Sequence, residues 1–306
     1  WGRRVCCPHD VGLTSAFAWK PCRRPMPWMR FLMYGWIVSE LDGSDDMLPY
    51  IDVLDRAIPM YGLLGVIGFF AALGLILAMS RPLGIDRENA VYLFVFTVIG
   101  CMVGAKLLYL LTVLPDLLAD LPDMVNDFGL LVRKYLSGGF VFYGGLIGGV
   151  SVAFWYCRFF HWRLSDYLPV LMPAVPLMHA FGRLGCFCAG CCYGVEVPWG
   201  VTFADAVAGP NGVPLFPVQL VEAVCEFAIC AILVRMSVSG ASRGEPWMLV
   251  RAYILMYAPV RFVLEFFRAG AVRGVWFGLS TSQWLSLAAC VAVGGLLLLR
   301  MRRREA

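Results

Sequence analysis

Residues 167–187 read YLPVLMPAVPLMHAFGRLGCF. The run is long enough to cross a bilayer, which takes about 20 apolar residues, yet its second half carries His179 and Arg183. On insertion scales a cation at membrane depth costs about 2.5–3.5 kcal/mol, so such residues face a bundle interior or a water-filled cavity. His179 and Arg183 are four apart and share one helix face. Arg183 has no acid at i±3 or i±4, so its partner is on another helix or is a ligand. A guanidinium is a planar fork that suits a phosphate. The expectation is an anion held in lipid surroundings, such as a phospholipid phosphate. Interhelical packing is the alternative reading of any one such residue.

The composition agrees with a membrane setting. Of 306 residues, 60% are hydrophobic and 15% charged, where a soluble domain carries about 25% charged residues. The net charge of +4 comes largely from Arg300, Arg302, Arg303 and Arg304 at the C-terminus. That cluster suits an anionic membrane surface and excludes a nucleic-acid reading. The first 46 residues have no helical or strand periodicity, and the apolar piece at 28–38 is too short to span. No long apolar core with a small-residue cleavage site follows it. Residues 1–46 are therefore read as an upstream extension outside the native fold, and 47–306 as the membrane domain.

Apolar runs of spanning length fall at about 59–79, 90–113, 138–157, 167–187, 216–236, 247–267 and 281–299. The expected fold is all-α and polytopic, with seven transmembrane helices. Segment 114–137 is broken by acids and reads as an amphipathic helix at the surface. Arg81 and Arg87, Arg158 and Arg163, Arg235 and Arg243, and the C-terminal arginines mark one side. The alternate connections are poorer in net positive charge: 188–215 has no Lys or Arg, and 114–137 sets Arg133 and Lys134 against four Asp, while the remaining outer connection holds Arg268 and Arg273. The N-terminus is expected outside and the C-terminus cytoplasmic.

Other polar residues lie within these runs. Glu222 and Glu226 share a face of the fifth span, and Arg261 and Glu265 share one on the sixth. Tyr61, Tyr143 and Gln219 join them. The run 137–149 (SGGFVFYGGLIGG) has paired glycines, which let helices approach closely or let a substrate reach backbone. The stretch CFCAGCC at 186–192 has one C-x2-C unit, Cys188 and Cys191. Packing, a disulfide or redox pair, and a metal site all remain open for it.

Read in order, the motifs are IPMYGLLGVIGFF (58–70), GCMVGAKLLYLL (100–111), GGFVFYGGLIGG (138–149), HAFGRLGCFCAGCCYG (179–194), FPVQLVEA (216–223) and YAPVRFVLEFFR (257–268). The ordered set resembles the bacterial prolipoprotein diacylglyceryl transferase family from about residue 47 to the C-terminus. The resemblance implies an enzyme of the bacterial cytoplasmic (inner) membrane, acting at its outer leaflet. Such an enzyme moves the diacylglyceryl group of phosphatidylglycerol onto the lipobox cysteine of a preprolipoprotein, with no metal, no soluble cofactor and no nucleic-acid partner. It carries phosphate binding to Arg183 and Arg261 and keeps Tyr61, Gln219, Glu222 and Glu265. The chain departs from the family pattern at Tyr143, where the family usually has His, and at Cys186, where it has Asn. Ala189 and Cys191 replace a later Asn and Glu. The expected catalytic residues are His179 as proton acceptor, Tyr143, Arg261 and Glu265. The expected substrate contacts are Arg183, Tyr61, Gln219, Glu222, Gly144, Gly145 and Cys186. Two other classes of function compete: a non-enzymatic binder or transporter of an anionic lipid, and a redox or metal protein built on the cysteines.

Overall fold

The structure is a computed structural model. It describes residues 50–53, 56–122, 127, 129, 131–136, 138–269 and 274–305. The expected extension 1–46 and the cation Arg273 lie outside the described residues. A short hairpin, Tyr50–Val53 with Arg56–Pro59, leads into α1, Met60–Leu83. The other helices are α2 (Arg87–Thr112), α3 (Leu114–Ala119), α4 (Phe142–Phe159), α5 (Leu164–Cys188), α6 (Val218–Val238), α7 (Trp247–Leu264) and α8 (Thr281–Glu305). Each apolar run read from the sequence is thus helical. Among the described residues five helices are long and apolar enough to cross a membrane: α1, α2, α5, α7 with its 3-10 extension to Phe267, and α8. Of the other two long helices, α4 has 18 residues, and α6 carries Glu222, Glu226 and Arg235.

Local chemistry sets the helix ends. Gly84, at φ 67°, closes α1 in the left-handed conformation that glycine adopts without a Cβ penalty. Asp86 caps α2 by accepting a hydrogen bond from the Asn89 amide at 2.8 Å. Helix α5 continues through Pro169, Pro173 and Pro176. Prolines are tolerated inside membrane helices because neighbouring groups satisfy the freed carbonyls.

The glycine run builds the tightest helix contact. A Cβ on Gly104 of α2 would meet the Gly148 Cα of α4 at 2.8 Å and would strike the Gly144 carbonyl. A Cβ on Gly144 would meet Leu108 Cβ at 2.5 Å, and one on Gly145 would lie 3.2 Å from the Cys101 carbonyl. Dispersion between closely apposed backbones replaces the hydrophobic drive that lipid cannot supply. Helix α1 packs on α5 in the same way, with Gly68 under Phe181 and Gly185 under Tyr61.

Segment 114–137 differs from expectation. Among the described residues it comprises α3 and a π-helical turn, Leu131–Leu136, rather than one amphipathic helix. Tyr135 is buried, and its hydroxyl donates to Asp120 Oδ2 at 2.8 Å, where Lys134 Nζ also sits at 2.5 Å. Asp120, one of the acids that break the apolar pattern, therefore ties the segment to itself.

The loop after α5 carries a second antiparallel pair, Glu196–Thr202 with Pro214–Leu215. It is joined to the end of α7: Val195 N–H donates to the Phe267 carbonyl at 2.9 Å, and Ala269 N–H to the Tyr193 carbonyl at 3.1 Å. This backbone seam brings the exits of α5 and α7 together.

Candidate active site

Helices α5, α6 and α7 face each other through polar side chains. Glu222 and Glu226 present consecutive turns of α6 and are 1% and 0% exposed. Opposite them, on α5, stand His179 and Arg183. His179 Nδ1 lies 2.5 Å from Glu226 Oε1, and Arg183 Nε donates to His179 Nε2 at 3.2 Å. Arg183 Nη2 reaches Glu222 Oε1 at 3.1 Å, and the Tyr257 hydroxyl of α7 donates to the same oxygen at 2.9 Å. The result is a continuous chain: Glu226, His179, Arg183, Glu222, Tyr257. It resolves the question left by the sequence, since the carboxylate partner of Arg183 is on α6. Removing one member of such a buried pair costs about 3–5 kcal/mol, because the survivor is left uncompensated.

A second pair lies on α7. Arg261 Nη2 is 2.7 Å from Glu265 Oε2, one turn on, and donates to Ser282 Oγ of α8 at 3.3 Å. Both arginines act electrostatically on Tyr257. The His179 and Tyr257 rings meet edge to face, with centroids 5.2 Å apart. One buried acceptor of the site, Gln219 Oε1, has no hydrogen-bond partner among the described residues. Orphaned buried acceptors of this kind point to a site made to hold something besides its own side chains.

The end of α5 gathers the remaining groups. Gly190, at φ 62°, puts the chain into the left-handed region, where Cys191 N–H donates to the Cys186 carbonyl and Gly190 N–H to the Phe187 carbonyl, both at 3.0 Å. This pair of bonds is a Schellman motif, which sets the third-last helical residue against the second residue past the cap. Here those residues are Cys186 and Cys191. Cys192 follows at φ 57°. The Sγ atoms of Cys186, Cys191 and Cys192 all lie within 4.8 Å of one another. Hydrogen bonds from the Cys186 and Cys191 thiols, helped by the Arg268 and Arg183 charges, hold the Cys192 thiol below its ordinary range. Gln219 Nε2 donates to the Cys191 carbonyl at 2.7 Å. Tyr61 packs over Gly185 and lies within electrostatic reach of Cys186, Cys191 and Arg183.

The structure therefore brings together Arg183, His179, Glu222, Gln219, Tyr61 and Cys186, with Arg261, held by Glu265, within electrostatic reach of Tyr257. Both ring nitrogens of His179, the expected proton acceptor, are engaged, one by Glu226 and one by Arg183. Gly144 and Gly145, the expected substrate contacts, are buried against Gly104, Leu108, Cys101 and Ala105 of α2. Tyr143 is 42% exposed at the first turn of α4, with its ring against Phe142 at 5.7 Å, and is not among the groups that meet at Arg183. Of the clustered cysteines, whose role the sequence leaves open, Cys186, Cys191 and Cys192 converge and Cys188 does not join them. Tyr257 and Glu226, polar and within spans, were legible as candidates but not as members of the Arg183 chain.

The fold and site define a polytopic membrane protein whose helices enclose arginines paired with carboxylates. The family that matches is prolipoprotein diacylglyceryl transferase, over residues 50–299. The chain belongs to this family. It is similar to the phosphatidylglycerol–prolipoprotein diacylglyceryl transferase of Clostridium tetani, at 33% identity over 229 residues, 74% of this chain and 87% of the relative. It is also similar to a second such transferase of Clostridium perfringens, at 31% identity with 82% and 94% covered. The transferase of Coxiella burnetii is 31% identical, with 84% and 98% covered.

Proposed function

We propose that this chain transfers the diacylglyceryl group of phosphatidylglycerol to the lipobox cysteine of a prolipoprotein, releasing glycerol phosphate. The protein is a transferase of lipoprotein maturation. Its seven long helices, α1, α2 and α4 to α8, all span the bacterial inner membrane, with the N-terminus outside and the C-terminus cytoplasmic. The aromatic cluster at the α4–α5 turn supports this placement. Trp155 stacks on Phe159, Phe160 on Trp162, and Trp162 meets Tyr167, at 5.2–5.7 Å between Arg158 and Arg163. Aromatic residues concentrate at headgroup level, and arginine on the cytoplasmic side. The opposite ends of α5 and α7, with the cysteines and the seam, then lie toward the outer leaflet.

One observation carries the mechanism: Arg183 is gripped from behind. His179 takes its Nε–H and Glu222 one Nη2–H, which fixes the fork while the remaining donors serve a phosphate. Arg261, fixed by Glu265 and Ser282, serves the same headgroup, and the acyl chains stay in the bilayer. The acceptor sulfur attacks the diacylglyceryl carbon that bears the phosphate. A C–S bond forms, the C–O bond to phosphate breaks, and the electron pair leaves on the phosphate oxygen. The thiol proton passes to the departing phosphate monoester. Positive charge held at the leaving oxygen in a water-poor site stabilises the charge that develops there, a contribution often worth several kcal/mol. His179 is a positioning residue in this scheme, and Tyr61 and Gln219 shape the outer rim.

The test uses purified full-length protein in vesicles holding phosphatidylglycerol labelled in its acyl chains, with a lipobox peptide. The expected product is the peptide heavier by one diacylglyceryl unit, formed by the wild type and not by Arg183→Gln. Labelled lipid that binds or crosses the vesicle without modifying the peptide would instead establish a lipid binder or transporter.

A further inference from the structure

We propose that Cys186, Cys191 and Cys192 form a binding site for a thiophilic d10 metal ion at the rim of the Arg183 site. The argument begins with convergence. Three sulfurs within 4.8 Å of one another are close to what a metal at about 2.3 Å from each requires, namely S···S separations of about 3.8–4.0 Å. Adjustments under about 1 Å suffice, and all three residues sit at a helix end rather than in its interior. A disulfide would use only two of them.

The backbone points the same way. The Schellman turn at Gly190 sets Cys186 against Cys191, a pairing that is usually a contact between apolar side chains. Cys192 reaches the pair only by adopting φ 57°, a left-handed conformation that costs a non-glycine residue on the order of 1–2 kcal/mol. Packing alone gives no reason for a third sulfur to be strained into the group. Cys188, one residue before the cap, stays out of the cluster although it has the more metal-like spacing in the sequence.

The donor set selects the ion. Among the described residues no imidazole or carboxylate joins the three thiols, so hard cations such as Mg²⁺ or Ca²⁺ are disfavoured and soft ions favoured. Three thiolates with one divalent ion carry a net charge of −1. Arg183 and Arg268 both act electrostatically on Cys192, so an anionic group there meets positive charge. Taken with the proposed function, on which this clause alone rests, a bound ion makes an anionic group that competes with the lipid phosphate for Arg183, and transfer slows reversibly.

The test is binding, so it is independent of transfer. Full-length protein with Cys6, Cys7 and Cys22 changed to Ser, reduced and placed in zwitterionic nanodiscs, is titrated with Cd²⁺. The readouts are the ultraviolet thiolate-to-cadmium charge-transfer band and maleimide counting of free thiols. One ion per chain is expected, with three thiols protected. Cys191→Ser and Cys192→Ser should each weaken binding at least tenfold, while Cys188→Ser leaves it unchanged. Thermal unfolding of each variant identifies any that misfold, and Cys192→Ala then replaces Cys192→Ser. Absence of the band in the reduced parent, unchanged maleimide counts, or a band that survives both Cys191→Ser and Cys192→Ser would overturn the site. Competition of Cd²⁺ with labelled phosphatidylglycerol in the transfer reaction tests the regulatory clause separately.

Discussion

Two helix contacts in this molecule solve the same problem in opposite ways. Helices α2 and α4 meet through glycines whose backbones touch, with the Gly104 and Gly148 carbons filling the gap. Helices α5 and α6 meet through His179, Arg183, Glu222 and Glu226, all inward and paired. At Gly104, Gly144 and Gly148 the first contact leaves no room for a Cβ. The second carries charge that packing does not require. In lipid, small residues give stability through close approach, whereas intramembrane ions are costly and accompany function. The molecule keeps these two tasks on different helix pairs.

Breaking the charged contact should have the largest effect. Arg183→Gln is expected to lower transfer by about 10²–10³-fold, as loss of one preorganised donor does, measured as the mass shift of the lipobox peptide. Because Glu222 is then buried without its cation, stability should also fall by about 3–5 kcal/mol. The double variant Arg183→Gln, Glu222→Gln sharpens the comparison: the thermal midpoint should recover while transfer stays lost. Recovery of both would make the pair a packing device.

The glycine contact should behave in the reverse sense. Gly148→Leu is expected to cost about 2–3 kcal/mol by overpacking against the Gly100 carbonyl, read as a lowered unfolding midpoint, with turnover per folded molecule near the wild-type value. His179→Ala lies between the two. As a positioning residue it should lower turnover about ten- to hundredfold and leave the pH–rate profile in place; a displaced acidic limb would restore the proton-acceptor role. Tyr143→Phe should change transfer by about twofold or less, as exposed substitutions usually do.

The smallest effect concerns the α3 region. Hydrogen bonds from Lys134 and then Tyr135 hold the Asp120 carboxyl below its ordinary range. Its contribution is therefore present above the unfolded carboxylate pKa and is lost as pH falls through the lower folded value. Unfolding midpoints of the wild type and Asp120→Asn should differ near neutrality and converge in acid.

The helices were legible because each is a local property: apolar length and Gly or Asp at the ends. The pairing of His179 with Arg183 and of Arg261 with Glu265 was legible for the same reason, since i,i+4 spacing is fixed by helix geometry. Direction was not legible. Gly144 and Gly145 lie in a motif beside Tyr143, and a motif says where a residue is in the chain but not which neighbour it faces. The Cys186–Cys191 contact was readable in retrospect, because glycine one residue past a helix cap sets those two positions together. Cys192 was not, since its place depends on a strained φ and on the seam to residues 267–269.

What the sequence determined by itself was the membrane setting, the helices, and the presence of arginines that lipid would not tolerate unpaired. Those follow from transfer free energies and periodicity, which are summed along the chain. Only the tertiary structure decided that Glu222 answers Arg183, that Glu226 engages His179, that the Tyr257 hydroxyl donates to Glu222, and that three of the clustered cysteines converge. Each of these depends on how helices distant in sequence cross and rotate against one another, which is set by packing of whole surfaces and not by any local run of residues.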